Sequence, residues 1–177
     1  MKVFIRFLIA FITVFCLDGA SKIWAEQTLV QHEPVPIIGE VFRFTLGYNT
    51  GVAFGMFANG GPWPLIITGA VIMALILWSM MTLRQEHGPP LAGAAIGLLL
   101  GGAIGNFVDR FPDGRVTDFL DIGLGASRWP TFNLADSFIL IGLALLLLME
   151  AKTKPKEPIK PDAQPPKMND SIALMDD

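Results

Sequence analysis

The side chains best suited to chemistry in this 177-residue chain are carboxylates, and they concentrate between residues 101 and 136. The five aspartates of this stretch are Asp109, Asp113, Asp118, Asp121 and Asp136. Apolar runs of near membrane-spanning length flank the stretch on both sides. Polar groups so close to hydrocarbon are costly and usually serve a function. Two facing aspartates can share one proton and hydrolyse a peptide bond, one activating water while the other donates a proton.

Spacing alone does not select a pair from these five. Asp113 lies in the turn sequence FPDG and is most simply a turn aspartate. Asp109 precedes Arg110 and could pair with an arginine. Asn133 stands three residues before Asp136, a spacing typical of a helix cap followed by an acidic first turn, where the helix dipole favours negative charge. A structural and a catalytic role therefore both stay open for Asp136.

Other catalytic groups are sparse. Histidine occurs only as His32 and His87, and the single cysteine, Cys16, lies within an apolar run, so neither a histidine-based metal site nor a Ser-His triad is indicated. Ser21 and Lys22 are adjacent and would point in different directions on a helix, which disfavours a serine–lysine dyad. No phosphate-binding glycine loop and no basic cluster interleaved with aromatics occurs. We expect no metal, no cofactor and no nucleic acid partner.

The elements that must position the aspartates are predicted to be membrane-spanning helices. Hydrophobic residues make up 52% of the chain and charged residues 16%, whereas a soluble domain carries about a quarter charged residues. Four apolar segments suit a bilayer crossing, at about 3–25, 63–83, 91–108 and 133–150. A cleaved signal peptide is the alternative for the first segment, but no small-x-small cleavage site is suitably placed.

The predicted fold is therefore an all-α membrane protein with four transmembrane helices and a small β-rich element in the loop 26–62. In that loop residues 40–49 alternate in a strand pattern, and residues 48–57 have the composition of a turn. Residues 1–151 would form one membrane-embedded domain. Residues 152–177, rich in lysine and proline, would form a disordered cytoplasmic tail.

Glycines recur every four residues in the third segment, at Gly93, Gly97, Gly101 and Gly105. Small residues at this spacing let helix backbones approach closely in lipid. We expect a helix-packing face, with Gly101, Gly102 and Gly105 also able to make room beside a site.

Basic residues indicate the orientation. Four crossings place both termini on one side, together with Lys2, Arg6, Arg84 and the lysines of the tail, and the positive-inside rule makes that side cytoplasmic. The contrast is imperfect because several arginines fall on the other side. The outer side then gathers nearly every polar residue close to the membrane: Asp18, Lys22, Asn49, Asn106, Asp109, Arg110, Asp118, Asn133 and Asp136.

Four blocks of the sequence resemble lipoprotein signal peptidase, also called signal peptidase II. They are LDGASK (17–22), YNTGVAFG (48–55), GGAIGNFVDRF with GRVTDFLD (101–121) and WPTFNLADS (129–137), in the order that the family has them. Gly19, Ser21 and Val52 depart from the family's usual residues without touching the aspartates. The resemblance covers about residues 3–150.

The resemblance implies an aspartic endopeptidase of the bacterial inner membrane. Such an enzyme removes the signal peptide from a prolipoprotein by cutting just before a diacylglyceryl-modified cysteine. Its catalytic pair falls here on Asp118 and Asp136. Positions that line or support the site fall on Asp18, Lys22, Asn49, Gly102, Asn106, Asp109, Arg110, Asn133 and Ala135. The loop 26–62 would correspond to the family's small extracytoplasmic β-rich cradle or lid over the substrate.

Within that reading, the three asparagines could hydrogen-bond the substrate backbone and Arg110 could hold its carbonyl groups or a neighbouring carboxylate. Asp109 and Asp121 would support the site, and Asp113 would form the turn. The partners would be lipid-modified prolipoproteins and membrane lipid. The enzyme would be monomeric, because one chain holds every residue needed.

Two other functions use the same features. A transporter or proton-conducting protein would also need buried carboxylates, but the inner halves of the last three apolar segments are almost purely apolar. A non-catalytic membrane scaffold would not need so many acidic residues at one depth.

Overall fold

The computed structural model describes residues 2–51, 61–83 and 90–153. Its four helices are α1 (Lys2–Thr28), α2 (Trp63–Leu83), α3 (Pro90–Asp113) and α4 (Leu134–Thr153). Its four strands are β1 (Val35–Ile38), β2 (Phe42–Asn49), β3 (Val116–Leu124) and β4 (Ser127–Arg128). The predicted turn segment after residue 51 and the predicted tail from residue 154 lie outside these residues.

All four helices are long and apolar enough to cross a membrane, as the sequence predicts. The helix α3 is the central one and packs against each of the other three. In its most apolar stretch 61% of the residues are buried, against 11% in the corresponding stretches of the other helices. The outer faces of α1, α2 and α4 carry exposed large apolar side chains, as expected for surfaces that contact lipid.

Glycines make the close contacts of α3 possible. A Cβ atom at Gly97 would lie 2.5 Å from the Phe7 carbonyl oxygen of α1, and one at Gly102 would lie 2.5 Å from the Ala135 carbonyl oxygen of α4. At Gly105 a Cβ atom would lie 2.7 Å from Oδ2 of Asp18. The predicted packing face is confirmed, and Gly102 and Gly105 do leave room at the end of the bundle where the polar residues lie.

The strands form one antiparallel sheet in the order β1-β2-β3-β4. Strand β2 confirms the strand predicted within residues 40–49. It pairs with β3 from Phe42 opposite Ile122 to Asn49 opposite Val116, with an irregularity between Phe44 and Gly47. Strands β3 and β4 were not predicted. The start of β3 is buried on both faces, so the alternation that reveals a half-buried strand is missing.

An aromatic cluster joins the sheet to the end of α1. The Trp24 ring meets Phe44 and Phe119 edge-on, with ring centroids 5.1 and 6.2 Å apart. Phe119 also packs with Ala25 of α1 and Leu46 of β2 in a small buried core. This core holds β3 against α1 directly beside Asp118.

Candidate active site

Apart from Asn49 on β2, the predicted site residues come from four elements that meet at one end of the helix bundle. Asp18 and Lys22 lie in α1, and Asn106, Asp109 and Arg110 in α3. Helix α3 continues to Asp113, beyond the predicted end at residue 108, so this polar group lies on its last turns. Asp118 lies on β3, Asn133 directly precedes α4, and Ala135 and Asp136 lie in the first turn of α4.

The start of α4 is capped in two ways. Oδ1 of Asn133 accepts a hydrogen bond from the Asp136 backbone N–H at 3.0 Å, and Oδ2 of Asp136 accepts one from the Asn133 N–H at 3.3 Å. This reciprocal arrangement is a capping box, so the predicted cap is confirmed. In addition, Asp18 accepts a hydrogen bond from the Ala135 N–H at 2.9 Å. Helix α1 therefore fixes the position of the helix end that carries Asp136.

Two asparagine amides connect the aspartates of the predicted pair. Nδ2 of Asn133 donates to Oδ1 of Asp118 at 2.8 Å, and Nδ2 of Asn106 donates to Oδ1 of Asp136 at 2.8 Å. The amides also bond each other, since Nδ2 of Asn133 lies 3.0 Å from Oδ1 of Asn106. The donors of Asn106 and Asn133, which the sequence analysis assigned to substrate, thus hold the two carboxyl groups.

Neighbouring donors determine which way each amide faces. Lys22 Nζ donates to Oδ1 of Asn106 at 2.9 Å. Because an ammonium group can only donate, the oxygen of this amide must face Lys22 and its nitrogen must face Asp136. The backbone N–H of Asp136 also can only donate, so the oxygen of the Asn133 amide faces it. The nitrogen of the Asn133 amide is then directed at Asp118.

Lys22 also supplies positive charge to this part of the site. Its ammonium lies 2.8 Å from Oδ2 of Asp18 and 3.2 Å from Oδ2 of Asp109, and both Lys22 and Asp18 are buried. Asp109 in turn accepts a hydrogen bond from the Thr117 backbone N–H at 2.8 Å. The start of β3 is thereby attached to α3 one residue before Asp118.

Asp118 is almost completely buried, with 3% of its surface exposed. Burial and then the negative charge of Asp136 raise the pKa of Asp118 to about 7, although the Asn133 hydrogen bond and the charges of Lys22 and Arg110 act in the opposite direction. A large fraction of Asp118 is therefore protonated at neutral pH. Asp136 is more accessible. The pair combines a carboxyl group that keeps a proton with one that can meet water.

Arg110 links the site to the segment that directly follows β2. Its guanidinium donates to the Asn106 carbonyl oxygen at 3.1 Å and to the Gly51 carbonyl oxygen. Its Nε is buried and has no hydrogen-bond partner among the residues that the structure describes. The side chain of Asn49 accepts a hydrogen bond from the Gly51 N–H at 2.9 Å. Asn49 thus adjoins the network through Gly51 and makes no direct hydrogen bond to either aspartate.

The two other aspartates of 101–136 have structural contacts. Asp113 ends α3, pairs with Arg115 at 2.7 Å and accepts its backbone N–H at 3.3 Å, as predicted for a turn residue. Asp121 does not support the site as expected, because residues three apart on a strand face opposite sides. Instead it bonds Arg43, Thr45 and Arg128.

Those contacts join three strands around one carboxylate. Burial alone would raise the pKa of Asp121, but hydrogen bonds from Arg128, Arg43 and Thr45 hold this pKa below its usual value.

Glu26 was not predicted from the sequence as part of this region. It accepts a hydrogen bond from the Thr117 hydroxyl at 2.7 Å. One signal was available: Glu26 follows Lys22 by four residues and Asp18 by eight, which is one face of a helix.

Comparison with known proteins agrees with this geometry. Residues 10–152 match the family described as signal peptidase (SPase) II. The lipoprotein signal peptidase of Xylella fastidiosa (strain 9a5c) is 38% identical over 158 residues, covering 85% of this chain and 93% of that protein. The lipoprotein signal peptidase of Desulforapulum autotrophicum is 37% identical over 150 residues, covering 82% and 91%.

A solved bacterial membrane enzyme, determined by the in meso method, has the same fold. It superposes with a TM-score of 0.73 and 28% identity, over 86% of this chain and 92% of that one. The family match at residues 10–152 includes α2, α3, most of α1, nearly all of α4 and every residue of the network described above. The chain is therefore a multi-pass membrane peptidase that belongs to the signal peptidase II family.

Proposed function

We propose that this enzyme cleaves diacylglyceryl-modified prolipoproteins just before the lipidated cysteine, using Asp118 and Asp136 as its catalytic pair. The relatives named above are lipoprotein signal peptidases, which supports prolipoproteins as substrates. The comparisons lend no support to a transporter or proton-conducting protein. The observation that carries the mechanism is the pair of amides, Asn133 on Asp118 and Asn106 on Asp136.

The proposed reaction needs only one proton on the pair. Asp118 holds it, since its pKa is about 7, and Asp136 begins as the base. Asp136 takes a proton from water as the water oxygen bonds to the scissile carbonyl carbon, and Asp118 gives its proton to the carbonyl oxygen. When the C–N bond breaks, Asp136 protonates the leaving nitrogen and a hydroxyl proton of the intermediate returns to Asp118. The enzyme is restored without metal or cofactor.

The depth of the site suits a lipid-anchored substrate. Lys22 lies near the end of α1, Arg110 near the end of α3 and Asp136 in the first turn of α4. A cysteine that carries acyl chains stays in the membrane, so its peptide bond reaches the enzyme at the level where these helices end. We assign this end to the outer face of the bacterial inner membrane, with both termini in the cytoplasm.

We further propose that one chain is the functional unit and that residues 1–151 form the peptidase domain. Both carboxyl groups, both amides and Lys22 belong to a single chain. The cradle and lid over the substrate are assigned to the loop 26–62, of which residues 52–60 lie outside the described part of the chain.

The test uses the purified full-length enzyme in lipid and a synthetic prolipoprotein whose cysteine is diacylglyceryl-modified. Asp118→Asn and Asp136→Asn keep the size of each side chain and should each lower turnover by at least about 10³-fold. The matched control is Asp113→Asn, which changes an exposed aspartate of the same stretch and should keep near-normal turnover.

Thermal unfolding of each variant verifies folding. Near-normal turnover in either Asp118→Asn or Asp136→Asn would show that the pair is wrongly assigned. Equal cleavage of a substrate with an unmodified cysteine would refute the proposed requirement for lipid.

A further inference from the structure

Thr117, the residue directly before Asp118, is held through all three of its polar groups by three different parts of the chain. Its N–H donates to Oδ2 of Asp109 on α3 at 2.8 Å. Its carbonyl oxygen accepts from Nδ2 of Asn133 at 3.3 Å. Its hydroxyl donates to Oε1 of Glu26 on α1 at 2.7 Å.

The Glu26 contact completes a series along one face of α1. Residues four apart share a helix face, and here each acidic or basic member holds a different element. Asp18 bonds the Ala135 N–H at the start of α4, Lys22 bonds Asn106 on α3, and Glu26 bonds Thr117 on β3. Helix α1 thus fixes the three elements that carry the site relative to one another.

The hydroxyl of Thr117 faces away from the aspartate pair. Successive side chains of a strand point to opposite sides, so the Thr117 hydroxyl and the Asp118 carboxyl lie on opposite faces of β3. Thr117 is buried, with 3% of its surface exposed, whereas Glu26 is exposed at the rim. The contact can therefore influence the reaction only through the position of the strand.

We propose that Glu26 and Thr117 are positioning residues for Asp118. This inference rests on the proposed function, because it concerns the placement of the proton-donating carboxyl group. The Asp109 and Asn133 bonds hold the Thr117 backbone, and the Glu26 bond adds an anchor on the side chain, which restrains rotation of the strand about its own axis. Without it, Asp118 moves relative to Asp136, which is held separately at the start of α4.

The expected effect is on turnover and not on substrate binding. Misplacing a catalytic group by about 1 Å can cost about 10²-fold. Because two of the three anchors on Thr117 persist, we expect Thr117→Val and Glu26→Leu each to lower kcat by about tenfold with KM unchanged. Thr117→Ser keeps the hydroxyl and Glu26→Gln keeps an acceptor oxygen, so both should retain near-normal kcat.

The experiment measures kcat and KM of these variants, and of the Thr117→Val/Glu26→Leu double variant, on the diacylglyceryl-modified prolipoprotein. The double variant should be no slower than the slower single variant, since both remove one contact. Thr28→Val is the matched control, because it removes a hydroxyl that bonds only within α1, to the Trp24 carbonyl oxygen. It should leave kcat unchanged.

A normal kcat in Glu26→Leu would overturn the inference. So would a double variant whose loss of kcat is the product of the two single losses, or variants in which only KM changes. Glu26→Leu changes an exposed side chain and decides the question even if Thr117→Val fails to fold. The proposed function is tested separately: a fully active Asp118→Asn would refute the catalytic pair. An inactive Asp118→Asn with a normal Glu26→Leu would refute only the positioning role.

Discussion

Lys22 should control the proposed catalytic pair, although it forms no hydrogen bond with either aspartate of that pair. The ammonium bonds Oδ1 of Asn106 at 2.9 Å, which directs the Asn106 nitrogen at Asp136. In Lys22→Met this requirement disappears, and the amide oxygen is held only by the Asn133 nitrogen. The Asn133 nitrogen is itself shared, because it also bonds Asp118 and the Thr117 carbonyl oxygen. We therefore expect the Asn106 amide to lose its fixed orientation.

The size of the effect on catalysis follows from the bond at risk. A hydrogen bond to a charged group contributes about 1.5–3 kcal/mol, and each 1.36 kcal/mol is about a factor of ten in rate. Loss of the Asn106 donor from Asp136 should therefore lower kcat by about 10- to 100-fold.

Stability should fall as well. Lys22 and Asp18 are both buried and 2.8 Å apart, and removing one partner of a buried ion pair costs about 3–5 kcal/mol. For a chain of this size each kcal/mol shifts Tm by about 2–4 °C, so we expect Tm to drop by about 10 °C. The bond to Asp109 adds little, because 25% of that side chain is exposed.

The Asp18→Asn/Lys22→Met double variant separates the two effects. It leaves no unpaired charge at position 18 and keeps an oxygen for the Ala135 N–H, so most of the lost Tm should return. Turnover should stay low, because nothing restores the orientation of the Asn106 amide. Arg115→Met serves as the control, since it removes an exposed cation paired with Asp113, and it should change Tm and kcat little.

Cleavage of the lipidated substrate and thermal unfolding are measured on the same preparations. The reasoning fails if Lys22→Met keeps normal kcat. It also fails if the double variant regains both Tm and kcat, because Lys22 would then serve only to neutralise Asp18.

Three further outcomes follow from the described contacts. In the proposed reaction Asp118 must be protonated to act, and its pKa is about 7, so kcat/KM should fall about tenfold per pH unit above that value. A flat profile to pH 9 would contradict this role. The same raised pKa means that the contribution of Asp118 to stability is complete below about pH 4 and is lost as pH rises to about 7, so Asp118→Asn should unfold with a weaker dependence on pH in that window. Gly97→Ala should lower Tm by several degrees, since its Cβ would meet the Phe7 carbonyl oxygen at 2.5 Å and overpacking costs about 1–3 kcal/mol. Gly19→Ala, where nothing lies within 4 Å of the added Cβ, should not lower Tm, and equal losses in both glycine variants would argue against the packing role.

The membrane helices were predictable because their signal is local. An apolar run of about 20 residues leaves few alternatives in a bilayer, and each predicted segment coincides with a helix. The helix ends were less well predicted. Helix α3 continues five residues beyond the predicted end at 108, because the side chains of Asp109 and Arg110 find partners on α1 and at Gly51, directly after β2. Such partners belong to distant parts of the sequence and give no local signal.

Strand β3 was missed for a related reason. It carries Asp118 and Asp121 within a few residues, and aspartate is depleted in strands. Each carboxyl group is stabilised by residues far away in the sequence: Asn133 bonds the first, and Arg43 with Arg128 bonds the second. Pairing of β3 with β2 then joins residues 42–49 to residues 116–122. Neither the aspartate-containing sequence motif nor the hydrophobic periodicity of the two segments predicts that pairing.

For Asn106 and Asn133, the sequence predicted where the side chains lie better than it predicted what they bond. The motif predicted that Asn106 and Asn133 belong to the site, and both lie there. It did not predict that their amide nitrogens are already committed to the two aspartates. Side-chain amides suit this task because they donate hydrogen bonds without adding charge. A lysine at position 133 would bring a positive charge next to Asp118 and lower its pKa, and the carboxyl group would then lose the proton that the proposed reaction requires. The positive charge of Lys22 stands one step further away, where it orients an amide and leaves Asp118 able to stay protonated near neutral pH.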